Sequence, residues 1–247
     1  MLCRKWLFPA AMLAATNLPL SAAELPPGLL AVKQQVVEIT SNNTTRTDNV
    51  PEVRAQLEPL IAQLEAWFNA NRPANEVALT QVPWKNLWYD DPDISFDFQF
   101  GPLQLLQPRD RIFQVIEDGF YYNVSEFQLV VFEQRLILSN YLKGAYTIAR
   151  PAGPGNVGEP RLNTVDLEFV GNSVFPGTIP ARIRLSPLVR GVDRGLIPTI
   201  PVPGPLGVTG ELWNRYVDDD LRIAAGFDDS EPETIDLYIL RRVARAE

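Results

Sequence analysis

Residues 165–169 read Val-Asp-Leu-Glu-Phe, and this alternation of apolar and acidic side chains is typical of a strand with one buried face. The same period of two recurs at residues 94–100, which carry four alternating apolar side chains, and again at residues 235–239. Between about residues 84 and 243, nine to eleven such runs are separated by turn signals such as Asp118-Gly119. We therefore predict one antiparallel sheet, curled or closed into a barrel.

Residues 24–73 have a helical period instead. Apolar residues from 53 to 68 recur at spacings of three and four, which places them on one face of a helix, and residues 29–39 predict a shorter helix before it. We expect this segment to form a helical cap on the sheet of residues 74–247, not an independent domain.

Residues 1–23 have the organisation of a secretory signal peptide. A short basic start containing Arg4 and Lys5 precedes the apolar residues 6–20, and the segment ends in Ser-Ala-Ala. A membrane anchor is the alternative, but prolines interrupt an apolar run that is short of the ~20 residues a span needs. We predict cleavage after Ala23 and an exported protein, periplasmic or peripheral to a membrane. The mature chain would keep 20 basic and 30 acidic residues, a net charge of −10.

Composition excludes several chemistries. The chain has 247 residues, of which 46% are hydrophobic and 21% charged, close to the globular average. Its net charge of −8 argues against nucleic acid as a partner, because phosphate binding needs a basic face. There is no His, and the predicted leader holds the single Cys and both Met residues. We therefore expect no thiol or Ser-His nucleophile, no metal site of the usual His and Cys type, and no cofactor.

A proline-rich stretch, residues 176–207, differs from the rest of the sequence. It has seven prolines among Ile, Leu and Val, and a charge of +3 that comes from four arginines and one aspartate. One interpretation is a semi-rigid apolar loop with a cationic fringe, suited to resting on anionic lipid or to rimming the mouth of a cavity. The other is an exposed connection whose arginines pair with carboxylates elsewhere. The arginines concerned are Arg182, Arg184, Arg190 and Arg194.

Several stretches, taken in order, resemble one known family. They are a helical pair that includes residues 57–68, Trp84-Lys85-Asn86-Leu87-Trp88-Tyr89, Ile112 to Ile116 followed by Asn123-Val124, and Tyr216-Val217-Asp218-Asp219-Asp220-Leu221-Arg222-Ile223 with the closing strand 237–240. Together they resemble the plastid lipid-associated protein family, also called fibrillins or plastoglobulins, which has bacterial members. The sequence departs from that pattern by one extra residue between Trp84 and Leu87, by the long proline-rich stretch, and by extra acidic residues at 227–233.

This resemblance implies a lipocalin-like antiparallel β-barrel with a helical N-terminal cap. It also implies association with an apolar ligand or membrane lipid, and no established catalytic residues. The strand count agrees independently, because about eight strands can close around room for one small ligand.

Aromatic and polar residues on the predicted strands are the candidate ligand-binding side chains. The aromatic residues would line an apolar pocket, with Tyr89, Tyr216 and Gln114 as orienting polar groups; ordinary core packing is the alternative. The full set is Trp84, Trp88, Tyr89, Phe98, Gln114, Trp213, Tyr216 and Arg222.

The orientation of Arg222 depends on its neighbours. Arg222 lies between Leu221 and Ile223 and must face away from both. If those two residues point inward, Arg222 is solvated. If they lie under the helical cap, Arg222 enters the barrel and needs Asp220, Glu211 or an anionic ligand head group as its partner. The neighbouring run of three aspartates suggests calcium, but a turn with solvated charges is the simpler interpretation.

Three functions follow from these observations. The first is non-enzymatic binding of an apolar small molecule or membrane lipid, of the lipid, quinone or carotenoid class, with peripheral membrane contact. The second is a structural or protein-interaction module that uses residues 176–207. The third and weakest is a carboxylate-dependent enzyme, for which no residue spacing selects a catalytic pair.

Overall fold

The computed structural model describes residues 25–90, 98–100, 103–106, 108–132, 134–153, 158–179 and 184–243. For residues 98–100 and 103–105 it describes the backbone alone. These residues form a mainly β structure, as the alternating sequence predicts, with one large antiparallel sheet and several helices.

Three of the helices precede the first strand, and the other helical segments lie between strands. The helices are α1 (Pro27–Asn42), α2 (Val50–Ala70), α3 (Glu76–Thr80), a 3₁₀ turn (Arg109–Arg111) and α4 (Leu185–Asp193). The strands are β1 (Trp84–Tyr89), β2 (Phe98–Phe100), β3 (Leu103–Leu106), β4 (Ile112–Glu117), β5 (Phe120–Val131), β6 (Gln134–Arg150), β7 (Thr164–Pro176), β8 (Ile200–Pro201), β9 (Thr209–Val217), β10 (Leu221–Asp228) and β11 (Asp236–Arg242).

The strand pairings close into a ring. The order is β5-β4-β1-β11-β10-β9-β7-β6, and β6 pairs with β5 to complete a circuit of eight strands. Every pairing in this circuit is antiparallel. The three remaining strands lie outside it, since β3 pairs with the far half of β5, β2 with β3, and β8 with the far half of β7.

Helices α1 and α2 cover the outer face of the ring, and both were predicted from sequence. The residues that α2 buries lie three or four positions apart and form one apolar stripe: Val53, Leu57, Ile61, Leu64 and Phe68. This stripe belongs to the same core as Leu221 and Ile223 of β10. The ring of Phe68 contacts that of Tyr216, whose strand partner is Ile223. Leu221 and Ile223 therefore lie under the helices.

The proline-rich stretch is not one loop, which corrects the interpretation from sequence. It contains α4, and Pro187 is tolerated because it lies in the first turn, where its missing N–H has no partner to lose. Leu185, Leu188 and Val189 are buried on one side of α4. They pack on the outer face of β4, β5 and β6, against Phe113, Val115, Tyr122, Val124 and Tyr141.

Strand β1 changes face in its middle. Asn86 pairs with Leu240 and Trp88 with Ile239, so Leu87 is one extra residue in a β-bulge. Residues directly opposite each other in antiparallel strands share a face. Trp88 therefore lies on the outer face beneath the helices, whereas Asn86 shares the inner face with Leu240.

Candidate binding site

Arg222 lies inside the ring. Its side chain is only 1% exposed, Nε donates to Asn214 Oδ1 (2.8 Å), and Nη1 donates to Gln114 Oε1 (3.0 Å). Gln114 is on β4 and Asn214 on β9, so one guanidinium spans the interior. The inward orientation was one of the two alternatives predicted from sequence. The prediction that Asp220 or Glu211 pairs with Arg222 is wrong, because the neutral amides of Asn214 and Gln114 take that place.

Helix α3 lies across one end of the ring, and a network of polar side chains holds it there. Asn214 Nδ2 donates to Glu76 Oε1 and to Thr80 Oγ1, both at 2.9 Å. Glu76 is 1% exposed and forms an ion pair with Arg72 at 2.8 Å. Asn163 Nδ2 also donates to Glu76, at 2.6 Å. Buried polar groups are tolerated when such bonds satisfy them, so α3 is fixed as a plug.

The plugged end leaves little free volume. A cavity of about 20 Å³ lies between α3 and the strands; its lining includes Thr80, Ile116, Tyr146, Leu212 and Arg222. Such a volume holds about one water molecule. Burial lowers the pKa of Arg222 to about 10, and nearby Tyr121 and Glu76 oppose this shift. The guanidinium therefore stays protonated at neutral pH.

Trp84 and Gln114 are the predicted site residues that the structure brings together with Arg222. Trp84 pairs with Gln114 across β1 and β4, so both side chains share the inner face. Trp84 is fully buried, and its Nε1 donates to the carbonyl oxygen of Thr80 in α3 (3.0 Å). Trp84 thus joins the plug to the sheet.

The other candidate ligand-binding residues are more scattered. Tyr89 is buried at the far end of β1, with the Arg109 guanidinium 4.2 Å above its ring. Trp88 and Tyr216 lie on the outer face in the helical core, and the Tyr216 hydroxyl donates to Asp218. Trp213 packs against Arg161, whose guanidinium carbon lies 4.4 Å from the centre of the indole ring. Phe98 lies on β2, where only the backbone is described.

The inner face continues past the ring toward the tip of the β5–β6 hairpin, and there it becomes apolar. From Asn123, which pairs with Gln114, every second residue of β5 lies on this face. Its cross-strand partners on β6, β7 and β8 extend the same surface. We name this surface the apolar basin; its residues are Phe127, Leu129, Leu136, Leu138, Val174 and Ile200.

Much of the apolar basin is open to solvent. Leu136 is 50% exposed and Ile200 67% exposed, and the other four side chains are half-buried. Phe132, at the hairpin tip beside the apolar basin, is 76% exposed and has a φ of 46°, in the left-handed region that a bulky residue seldom adopts. Exposed apolar side chains in one surface mark an interaction site more often than singly scattered ones do.

The arginines of the proline-rich stretch are dispersed. Arg190, on α4, forms an ion pair with Glu117 at 2.9 Å and lies 3.9 Å from Asp118. Arg184 and Arg194 flank α4 and are exposed, and Arg182 lies outside the described residues. For Arg190, the second interpretation of this stretch, pairing with carboxylates, is confirmed.

The aspartates at the β9–β10 turn bind a lysine of α1. Lys33 Nζ donates to Asp218 Oδ2 (2.6 Å) and also to Asp220, and Arg242 forms an ion pair with Asp219 at 3.2 Å. Burial would raise the pKa of Asp218, but hydrogen bonds with Asp220, Lys33 and Tyr216 outweigh burial and lower it. These contacts tie α1 to the sheet.

Several polar members of the site were not predicted from the sequence. Asn214 and Glu76 connect Arg222 to α3, but they are 138 residues apart in the chain, and no local pattern relates them. Asn86, 2% exposed, and Asn123 also face the interior, and the Oδ1 atom of each has no hydrogen-bond partner among the described residues. The available signal was a polar residue at an inward position of an otherwise apolar strand.

Comparisons with known proteins identify no relative. No protein-family model, no curated protein and no solved structure matches this chain. The helices within the described part of the chain are all too short or too polar to span a membrane.

Proposed function

We propose that this protein binds an apolar small molecule or membrane lipid without catalysing a reaction on it. The ligand's hydrocarbon part would rest on the apolar basin. The observation that carries this proposal is the continuity of one sheet face, which is polar and filled around Arg222 and apolar and open from Phe127 to Leu136.

The plugged end does not offer room for such a ligand. Pockets for small molecules have volumes of roughly 300 to 1,000 Å³, whereas the cavity beside α3 has about 20 Å³. The hydrocarbon therefore belongs on the opposite side of Arg222, toward the hairpin tip. Burying one leucine side chain contributes about 1.5–3 kcal/mol, so contact with several basin residues is enough for useful affinity.

The ring supports a lipocalin-like barrel as the finer description of the fold. In such barrels, eight antiparallel strands enclose a site, and one end is closed while the other admits the ligand. The resemblance to plastid lipid-associated proteins supports the same interpretation, as does the leader at residues 1–23, which would place the protein outside the cytoplasm near a membrane.

Binding of oleyl alcohol, followed by isothermal titration calorimetry, tests this proposal. Leu136→Asp places a charge in the apolar basin at a half-exposed position, and we expect it to weaken binding by at least about tenfold. Leu30→Asp is the matched control, because Leu30 is 45% exposed on α1, and it should bind like the wild type. A wild-type protein that binds neither oleyl alcohol nor phosphatidylcholine vesicles would refute the proposal.

A protein-interaction module remains a second candidate because of the segment after α4. There Leu196 is 75% exposed and Leu206 53% exposed, on either side of the basin residue Ile200 in the chain. Deletion of residues 198–205 followed by affinity capture separates the two functions. Loss of a specific protein partner with unchanged oleyl alcohol binding would favour the interaction module.

A further inference from the structure

Among the residues that the structure describes, Arg222 has no carboxylate as a direct partner. The two hydrogen bonds that it donates to them go to the neutral side chains of Asn214 and Gln114. The nearby carboxylate of Glu76 already forms an ion pair with Arg72, which is itself buried. Arg222, Arg72 and Glu76 together carry one positive charge in excess. Buried charges are ordinarily balanced, because an unbalanced one loses its hydration without compensation.

A second observation places free hydrogen-bonding capacity on the same face of the sheet as that charge. Asn86 shares the inner face with Arg222, because both residues pair with Leu240 from opposite sides. Asn86 is 2% exposed, and its Oδ1 has no partner among the described residues. An asparagine amide can present either its oxygen or its NH₂ group to a ligand, so Asn86 can donate to an anion.

The apolar basin begins a short distance away on the same face. Gln114, which binds Arg222, pairs with Asn123, and Phe127 lies four residues farther along β5. At ~3.3 Å per residue, this separation is about 13 Å. A molecule with one polar end and a hydrocarbon chain of fatty-acid length is therefore long enough to reach from the polar part of this face to the apolar basin.

We infer that the ligand is a long-chain carboxylic acid whose carboxylate accepts hydrogen bonds from Arg222 and Asn86. This inference rests on the proposed function and names its ligand class. One carboxylate balances the single excess positive charge, and charge-assisted hydrogen bonds from a guanidinium are among the strongest in proteins. A phosphate monoester, with nearly two negative charges, would reverse the imbalance instead of removing it.

Three probes that share one hydrocarbon chain test the inference: oleate, oleyl alcohol and oleyl phosphate. We expect the wild-type protein to bind oleate at least about tenfold more tightly than oleyl alcohol, and more tightly than oleyl phosphate. Equal affinity for oleate and the alcohol, or tighter binding of the phosphate, would overturn the carboxylate assignment while leaving the proposed function intact. If the wild type binds none of the three, the proposed function fails as well.

The variant Gln114→Glu provides a carboxylate from the protein itself. The new carboxylate would lie where Gln114 Oε1 now accepts a hydrogen bond from Arg222, and its charge would balance the excess positive charge. We expect the ratio of oleate to oleyl alcohol affinity to fall at least about tenfold. Gln56→Glu adds the same charge on the exposed side of α2 and should leave that ratio unchanged. An unchanged ratio in folded Gln114→Glu would show that another cation binds the carboxylate.

Discussion

The two ends of the inner face differ in the polarity of their side chains and in their exposure to solvent. At the end that α3 plugs, Glu76, Thr80 and Asn214 are buried and joined by hydrogen bonds, and about 20 Å³ stays free. At the hairpin end, the same face carries apolar side chains, and Leu136 and Ile200 are at least half exposed. One end has polar groups without solvent, and the other has apolar groups in contact with solvent.

This difference separates stability from binding. A satisfied buried network contributes to a single rigid arrangement, and breaking it is costly. An exposed apolar surface contributes little to folding, and its retention is more easily explained by a ligand or partner that covers it. The plugged end should therefore respond to substitution with large losses of stability, and the hairpin end with small ones.

The largest expected effect is at the plug. Glu76→Gln removes the anion that balances Arg72 in the buried ion pair, and loss of one partner from such a pair costs about 3–5 kcal/mol. Urea denaturation measures this loss as a lower free energy of unfolding. Glu52→Gln, at an exposed position in the first turn of α2, should change it by less than about 0.5 kcal/mol. Equal effects would mean that the plug is not a stabilising element.

A pair of truncations compares the two ends directly. Ile116→Ala removes a buried side chain near α3 and should lower the free energy of unfolding by about 2–5 kcal/mol. Leu136→Ala, in the apolar basin, should lower it by less than about 1 kcal/mol, because Leu136 is already half exposed. If Leu136→Ala were as costly as Ile116→Ala, the apolar basin would be ordinary core.

A smaller, pH-dependent effect is expected where α4 meets the base of the hairpin. Burial would raise the pKa of Asp193, but hydrogen bonds from Tyr141, Lys143 and Tyr122 outweigh it and lower the pKa below 3.8. A carboxyl group with a lowered folded-state pKa stabilises the protein above its unfolded pKa and loses that contribution as the pH falls through the folded value.

The variant Asp193→Asn should therefore melt below the wild type at pH 7, and the gap in Tm should narrow as the pH falls below 3.8. Thermal denaturation at a series of pH values measures the gap. A gap that stays constant down to acid pH would show that Asp193 acts through neutral hydrogen bonds alone.

The smallest expected change is a gain in stability at the hairpin tip. Phe132 has a φ of 46°, which is unfavourable for a bulky side chain, and asparagine tolerates this region better. Phe132→Asn should raise the free energy of unfolding by about 0.5–1 kcal/mol, measured in urea. A loss of stability would mean that the ring of Phe132 packs on the protein, and that its 76% exposure understates its contacts.

The regular elements could be predicted from sequence because each is encoded locally. The apolar stripe of α2 and the alternation in β7 depend on residues close together in the chain. Helix α4 was missed although Leu185, Leu188, Val189 and Val192 have helical spacing, because the surrounding prolines suggested a loop. The position of Pro187 in the first turn makes that sequence compatible with a helix.

The interior polar site could be predicted only in part. Strand alternation fixes Arg222 on the face opposite to Leu221 and Ile223, but which face is interior depends on where α1 and α2 pack. The partners of Arg222 come from β4 and β9, far apart in sequence. Neutral amides as partners for a buried cation follow no sequence rule, since charge complementarity favours a carboxylate.

The bulge at Leu87 shifts the inward and outward alternation of side chains along β1 by one residue. Before Leu87, even-numbered residues turn toward the centre of the molecule, and after it the odd-numbered Tyr89 shares a face with Tyr238. Deleting Leu87 would restore uninterrupted alternation with Trp88 still opposite Ile239 and Tyr89 still opposite Tyr238, so neither ring would need to change face. The six-residue strand thus supplies buried aromatic rings to both faces of the sheet, Trp84 and Tyr89 to the inner face and Trp88 to the outer one.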